Sequence, residues 1–248
     1  MAESAQPRQV CLIVGAGEGL GAAAARAFAR EGMTVCLARR QAHAAELETL
    51  TAGIRAAGGE ATPTPFDAAD EGAVTAAFAR IEREIGPLAV VVFNAASFHR
   101  AAVVDTSVDD YKAVWAATCL AGFLVLREAA RAMSARGAGT ILVTGATASL
   151  RGAANFSAFA AAKAALRATA QSLAREMGPK GVHVAHIVVD GAIDTPRVRG
   201  FFADAAARAE RDALLKPDAI AANYVALHRQ PRSAWSFELD VRPWSETW

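Results

Sequence analysis

Apolar positions along the 248-residue chain follow two alternating patterns. Short β-branched runs occur at QVCLIV (9–14), TVCLA (34–38), ATPTPF (61–66), LAVVVF (88–93), TILVT (140–144) and VHVAHIVV (182–189). Between them lie alanine-rich stretches that predict helices near 19–31, 42–57, 70–85, 107–136 and 153–178. Several of the runs are apolar throughout, the pattern of strands covered on both faces. Strand–helix–strand repetition of this kind predicts an α/β fold with a doubly wound parallel sheet.

The helix ends carry matching punctuation. Ser107, with Asp110 three residues on, resembles a capping box, and Gly32, Gly58–Gly59, Gly86–Pro87 and Gly178–Pro179 stand where helices should stop. After residue 190 the pattern changes to a loop, two short helices and a last strand near 235–241. No repeat or linker breaks the chain, so a single domain is expected over 1–248, with a tail at 1–7 and a lid region near 191–216.

Composition narrows the class. Hydrophobic residues make up 53% and charged residues 21%, enough for a sizeable core, and the net charge of +1 provides no field for nucleic acid or an acidic membrane. Cys11, Cys36 and Cys119 are too few and too scattered for a disulfide framework or a zinc site. The amino terminus lacks the pattern of a signal peptide, and charges interrupt every apolar run before it reaches membrane-spanning length. A cytoplasmic setting is the expectation.

The chemistry-bearing stretch is VGAGEGLG (14–21), directly between the first strand and the first helix. Gly15 permits the tight turn, Gly19 lets a diphosphate approach the backbone, and Gly21 lets the helix pack against the sheet. Gly17 adds a second glycine pattern, Leu20 opens the helix, and the charge of Glu18 is better turned away from phosphates. At the end of the second strand, Ala38 stands where an NAD-binding carboxylate is expected, followed by Arg39 and Arg40. Guanidinium groups suit a 2′-phosphate, which favours NADP(H) over NAD(H); two solvated arginines opening a helix is the alternative. Asp67 and Ala68 end the third strand near the expected adenine site. Asn94, Ala95 and Ala96 end the fourth.

With Gly15-x-x-x-Gly19-x-Gly21, Asn94-Ala-Ala, Lys163 and VVDGAIDT (188–195), the chain resembles a short-chain dehydrogenase/reductase. The resemblance implies a single-domain Rossmann fold of about seven strands in the order 3-2-1-4-5-6-7. It also implies a homodimer or homotetramer packed through the helices at 107–136 and 153–178, and a small-molecule substrate. Asp190, Gly191, Ile193 and Thr195 would stand near the nicotinamide end of the cofactor, and Lys163 would hold the nicotinamide ribose; a lysine on a solvent-facing helix stripe is the alternative.

Family members work through Asn, Ser, Tyr and Lys. Here the tyrosine position falls on Phe159, the serine position on Ala146 and the asparagine position on Thr118. The alternative Tyr-x6-Lys spacing lands on Phe156. Losing a general acid costs roughly 10² to 10⁴ in rate. Thr147 and Ser149 lie where the serine loop is expected, and Thr147 could polarise a carbonyl. His99 is a candidate acid at the site mouth, or an ordinary loop histidine. Two function classes follow: an oxidoreductase acting on a small carbonyl, alcohol or activated alkene with altered chemistry, or a cofactor-binding sensor, scaffold or oligomer partner without turnover.

Overall fold

The computed structural model describes residues 9–246; the expected tail at 1–7 lies outside them. Seven strands form one parallel sheet in the order β3-β2-β1-β4-β5-β6-β7. They are β1 (Val10–Val14), β2 (Thr34–Ala38), β3 (Glu60–Pro63), β4 (Leu88–Phe93), β5 (Gly139–Thr144), β6 (Val182–Val189) and β7 (Glu238–Val241). Helices α1 (Leu20–Arg30), α2 (Ala44–Ala56), α3 (Glu71–Glu84), α4 (Val108–Trp115), α5 (Ala121–Arg136) and α6 (Ser157–Met177) connect the first six strands. Then come α7 (Pro196–Arg199), α8 (Ala205–Glu210) and α9 (Pro217–His228).

Burial explains the apolar runs. β1, β2 and β6 are buried at every position, because α1, α2 and α9 cover one face while α3, α5 and α6 cover the other. The strand order and two-sided cover are those the resemblance implied. All carboxyl ends of the strands point to one edge, where an open parallel sheet binds ligands.

Several boundaries differ from expectation. β3 stops at Pro63, not residue 66: Pro63 and Pro65 lack an N–H, so only Thr64 and Phe66 continue to donate, to Leu37 (2.8 Å) and Arg39 (2.9 Å) carbonyls. The helix expected at 153 starts at Ser157, because Asn155 adopts φ +69° and breaks the helical path. The last strand begins at Glu238 instead of 235; Trp235 turns to donate its indole N–H to the Gln230 carbonyl (3.1 Å) and stacks on His183. Three helices, not two, follow residue 190, since α9 is a full twelve-residue helix on the core.

The 107–136 segment is one continuous path in three parts, with π-helical turns at Ala116–Leu120 between α4 and α5. Ser107 caps it, accepting from the Asp110 N–H (3.0 Å) and donating to the Asp110 carboxylate (2.6 Å). Contrary to the reading of its charges, this Val108–Arg136 path is long and apolar enough to cross a membrane. Its buried face packs into the sheet core, which accounts for the apolar composition.

Candidate functional site

The glycine loop leaves β1 at the ligand-binding edge and is pinned from both sides. Gly15 and Ala16 donate their N–H groups to the Ala38 carbonyl (2.8 and 3.1 Å). The Asn94 N–H donates to the Val14 carbonyl (2.8 Å), and its amide Nδ2 donates to the Gly15 carbonyl (3.0 Å). Gly15 has φ +90°, and a Cβ there would lie 2.7 Å from the Ala95 nitrogen; one on Gly21 would lie 2.1 Å from the Gly15 oxygen. No side chain fits at either position. Leu20 is buried and anchors the start of α1.

The loop suits a diphosphate. Gly19 caps α1 without a side chain, no acid occupies the first turn, and Glu18 is exposed. The first N–H groups of α1 are therefore open to anionic oxygen. Thr195 closes over this point: a Cβ on Gly19 would meet its Cγ2 at 2.6 Å, while its Oγ1 accepts from the Val198 N–H (3.2 Å) and caps α7.

Arg39 lies across the same loop. Its guanidinium carbon would be 3.3 Å from a Cβ on Gly17, so glycine there makes room for the cation. Arg39 Nη1 donates to the Glu46 carboxylate, and His43 Nδ1 lies 2.9 Å from the other Glu46 oxygen. Arg40 is exposed and stands before the short turn that leads to α2. Asp67 is exposed and accepts from the Ala69 N–H (2.9 Å), with Ala68 against the core beside it. Ala95 packs on the core and Ala96 faces outward.

Lys163 is buried, not on a solvent-facing stripe. Its Nζ donates to the Thr144 carbonyl at the end of β5 (2.8 Å) and lies 5.9 Å from the centre of the Phe159 ring. Desolvation pulls its pKa down to about 8. This places a proton-exchanging nitrogen where the charged and neutral forms are both accessible near neutrality. Phe159 and Phe156 both meet the ring of Phe98 edge-on, at 5.3 and 5.5 Å. The Phe159 ring beside Lys163 thus belongs to a cluster of three phenyl rings, of which Phe98 is exposed to solvent.

The chain also brings a tyrosine close to the lysine's anchor, though not to the crevice. Tyr224 of α9 is fully buried on the opposite face, its hydroxyl 2.9 Å from Thr144 Oγ1. Thr144 donates its own hydroxyl to Asn94 Oδ1 (3.0 Å), so Tyr224 must be the donor in their shared bond. Burial raises the phenol's pKa well above its usual value. It is a structural hydroxyl in a line from Tyr224 through Thr144 and Asn94 to Gly15.

The remaining hydroxyls near the serine position are committed as well. Ala146 is a half-buried methyl, and its N–H donates to the buried Ser149 hydroxyl (3.1 Å). Thr147 donates to the Asp190 carboxylate, which is buried and ion-paired with Arg242 at 3.5 Å. A hydroxyl whose proton goes to a carboxylate offers lone pairs, not a proton, to a ligand. That bond turns Thr147 away from the carbonyl-polarising part suggested by its position. Thr118, within the π-helical turns, accepts from the Ser97 N–H (3.1 Å) and ties the β4–α4 loop to the helix. His99 lies 3.9 Å from Asp110, with Nε2 buried and unpaired among the described residues. Gly191 has φ +146° and packs on Pro243, and Ile193 bridges to Leu215, closing the 191–216 segment at its base. Arg199 is taken up by Asp194 (Nη2–Oδ2 2.9 Å).

Thr144 lies near the serine position in the sequence, but sequence reasoning missed its bonds to Lys163 and Tyr224 and gave no part to Phe98 or Glu46. Tyr224 lies 80 residues from Thr144 and Phe98 lies 61 from Phe159, so no local spacing signalled either contact.

A family model described as short chain dehydrogenase matches residues 9–206. A short-chain dehydrogenase of known structure from Rhodopseudomonas palustris is 40% identical, with a TM-score of 0.81, covering 96% of this chain and 100% of its own. A metagenomic short-chain oxidoreductase solved in complex with NADP is 27% identical, with a TM-score of 0.81 and coverage of 95% and 97%. The short-chain dehydrogenase/reductase eriH of Hericium erinaceus is 32% identical over 194 residues, 77% of each chain.

Proposed function

Because the chain belongs to the short-chain dehydrogenase family, we propose that it binds NADP(H) and exchanges hydride with a small carbonyl, alcohol or activated alkene by altered proton chemistry. The nicotinamide cofactor supplies or accepts the hydride when bound. Gly15, Gly17, Gly19 and the start of α1 would hold the diphosphate, and Arg39 the 2′-phosphate. Lys163 would hold the nicotinamide-side ribose, with Asn94, Gly191, Ile193 and Thr195 around that end. The NADP complex of the metagenomic relative supports the choice of cofactor.

The observation that carries the reading is buried Lys163, held by Thr144 with a pKa near 8. Its ammonium would give a proton to the reduced substrate, directly or through a ribose hydroxyl, in the place of the missing phenol. Turnover in the reducing direction should therefore fall as pH rises through about 8, where the ammonium loses its proton. NADPH oxidation against a panel of carbonyls and enones, run across pH 6–10, tests this; a flat profile or no turnover removes Lys163 as the acid.

A second reading, cofactor binding without turnover, is favoured by the phenyl rings at 156 and 159 and by the sealed hydroxyl of Tyr224. Tight NADPH binding with no substrate in the panel would select it. In either case we propose a homodimer or homotetramer: Val108, Tyr111, Trp115 and Phe123 expose large apolar side chains along α4–α5, beside a groove between α5 and α6 of about 530 Å³. The three buried free cysteines suit the cytoplasm.

A further inference from the structure

We propose that Glu46 is a specificity-determining residue that occupies the anion seat of Arg39 in the free protein and must leave it when the 2′-phosphate of NADP(H) binds. This rests on the cofactor reading above. The seat is defined by three contacts. The Arg39 guanidinium lies against Gly17, at the edge of the glycine loop, so a ligand on that loop meets this cation. Glu46 Oε2 accepts from Arg39 Nη1, and Oε1 is 2.9 Å from His43 Nδ1. Glu46 belongs to the first turn of α2, where a helix start favours negative charge.

A carboxylate gripped by a guanidinium on one oxygen and an imidazole on the other reproduces the partners a phosphate dianion would use. Its carboxyl is held below the usual range, by His43 first and Arg39 second, as expected of an occupied anion site. Glu46 is largely exposed, while Arg39 is mostly covered. The carboxylate can therefore swing into solvent while the cation remains on the loop. A 2′-phosphate would replace Glu46 on Arg39, whereas the uncharged 2′-hydroxyl of NAD(H) offers no anion to displace it. Glu46 thus weakens NADP(H) binding and leaves the affinity for NAD(H) nearly as it was.

The probes are adenosine 2′,5′-bisphosphate and 5′-AMP, which carry the adenosine half alone, titrated calorimetrically into the unaltered protein and Glu46→Gln. The amide keeps the shape and removes the charge at an exposed position. The expected result is about 3- to 5-fold tighter binding of the bisphosphate in the variant, within the range of an exposed ion pair, with 5′-AMP unchanged. Equal bisphosphate affinity in both proteins would overturn the inference. So would weaker 5′-AMP binding in the variant, which would make Glu46 a ribose acceptor. The cofactor reading is tested separately, by the unaltered protein's preference for bisphosphate over 5′-AMP; without that preference, Arg39 is not a phosphate site at all.

Discussion

The half of the crevice proposed for the nucleotide and the half proposed for the reaction share one sheet edge, but the fold treats them differently. In the nucleotide half, steric contact dictates each residue: Gly15 against Ala95, Gly21 against the Gly15 carbonyl, and Gly17 beneath the Arg39 guanidinium. In the reaction half, the proton chemistry is proposed to fall to Lys163, and nearby hydroxyls are bonded within the protein. Where the proposed reading expects a phenol and a serine hydroxyl stand the Phe159 ring and the Ala146 methyl, while Thr147 donates to Asp190 and Ser149 accepts from the Ala146 N–H. Lys163 is proposed to serve both halves, and its anchor is the backbone of Thr144, which needs no particular side chain. From this contrast we propose that gripping a dinucleotide and moving a proton are separable demands on this fold.

The sharpest way to break the contrast is to return the missing oxygen. Phe159→Tyr should raise NADPH-dependent reduction of simple carbonyls by roughly 10² to 10⁴, the range for regaining a general acid. No gain would mean that the reaction half has lost more than one hydroxyl. On the other side, Arg39→Ala should weaken NADPH binding about 10-fold or more, as for a lost charged hydrogen bond, and leave NADH within a factor of about two.

The lysine's burial can be read through stability. Lys163 has a pKa of about 8 in the folded chain against 10.5 when exposed, so the folded state binds fewer protons between those values. This group's destabilising effect is full below about pH 8 and is relieved as pH rises toward 10.5. Compared with Lys163→Met, the unaltered protein should gain roughly 2 kcal/mol between pH 8 and 9.5 in denaturant melts. The same curve in both proteins would place the ammonium in contact with water. The smallest effect expected is for Tyr224→Phe, which removes one donor from Thr144: about 1 kcal/mol of stability, seen as a lower denaturant midpoint.

Much of this was legible in the chain. Continuous apolar runs announced a sheet covered on both faces, and the glycine spacing marked the loop, because both depend on neighbours a few residues apart. Strand β3 was overrun because two prolines end a ladder without ending the extended path. The line from Tyr224 through Thr144 and Asn94 to Gly15 was hidden, since its members come from four elements distant in sequence. Whether Lys163 faces water or the core depends on how α6 packs on β6, which local spacing does not show.

A calorimetric titration of NADPH into the unaltered protein and into Phe159→Tyr tests the separation of grip from chemistry most directly. The account predicts saturable binding in both, with dissociation constants within about twofold of each other. No saturable binding to the unaltered protein, or binding that appears only with the tyrosine, would contradict it.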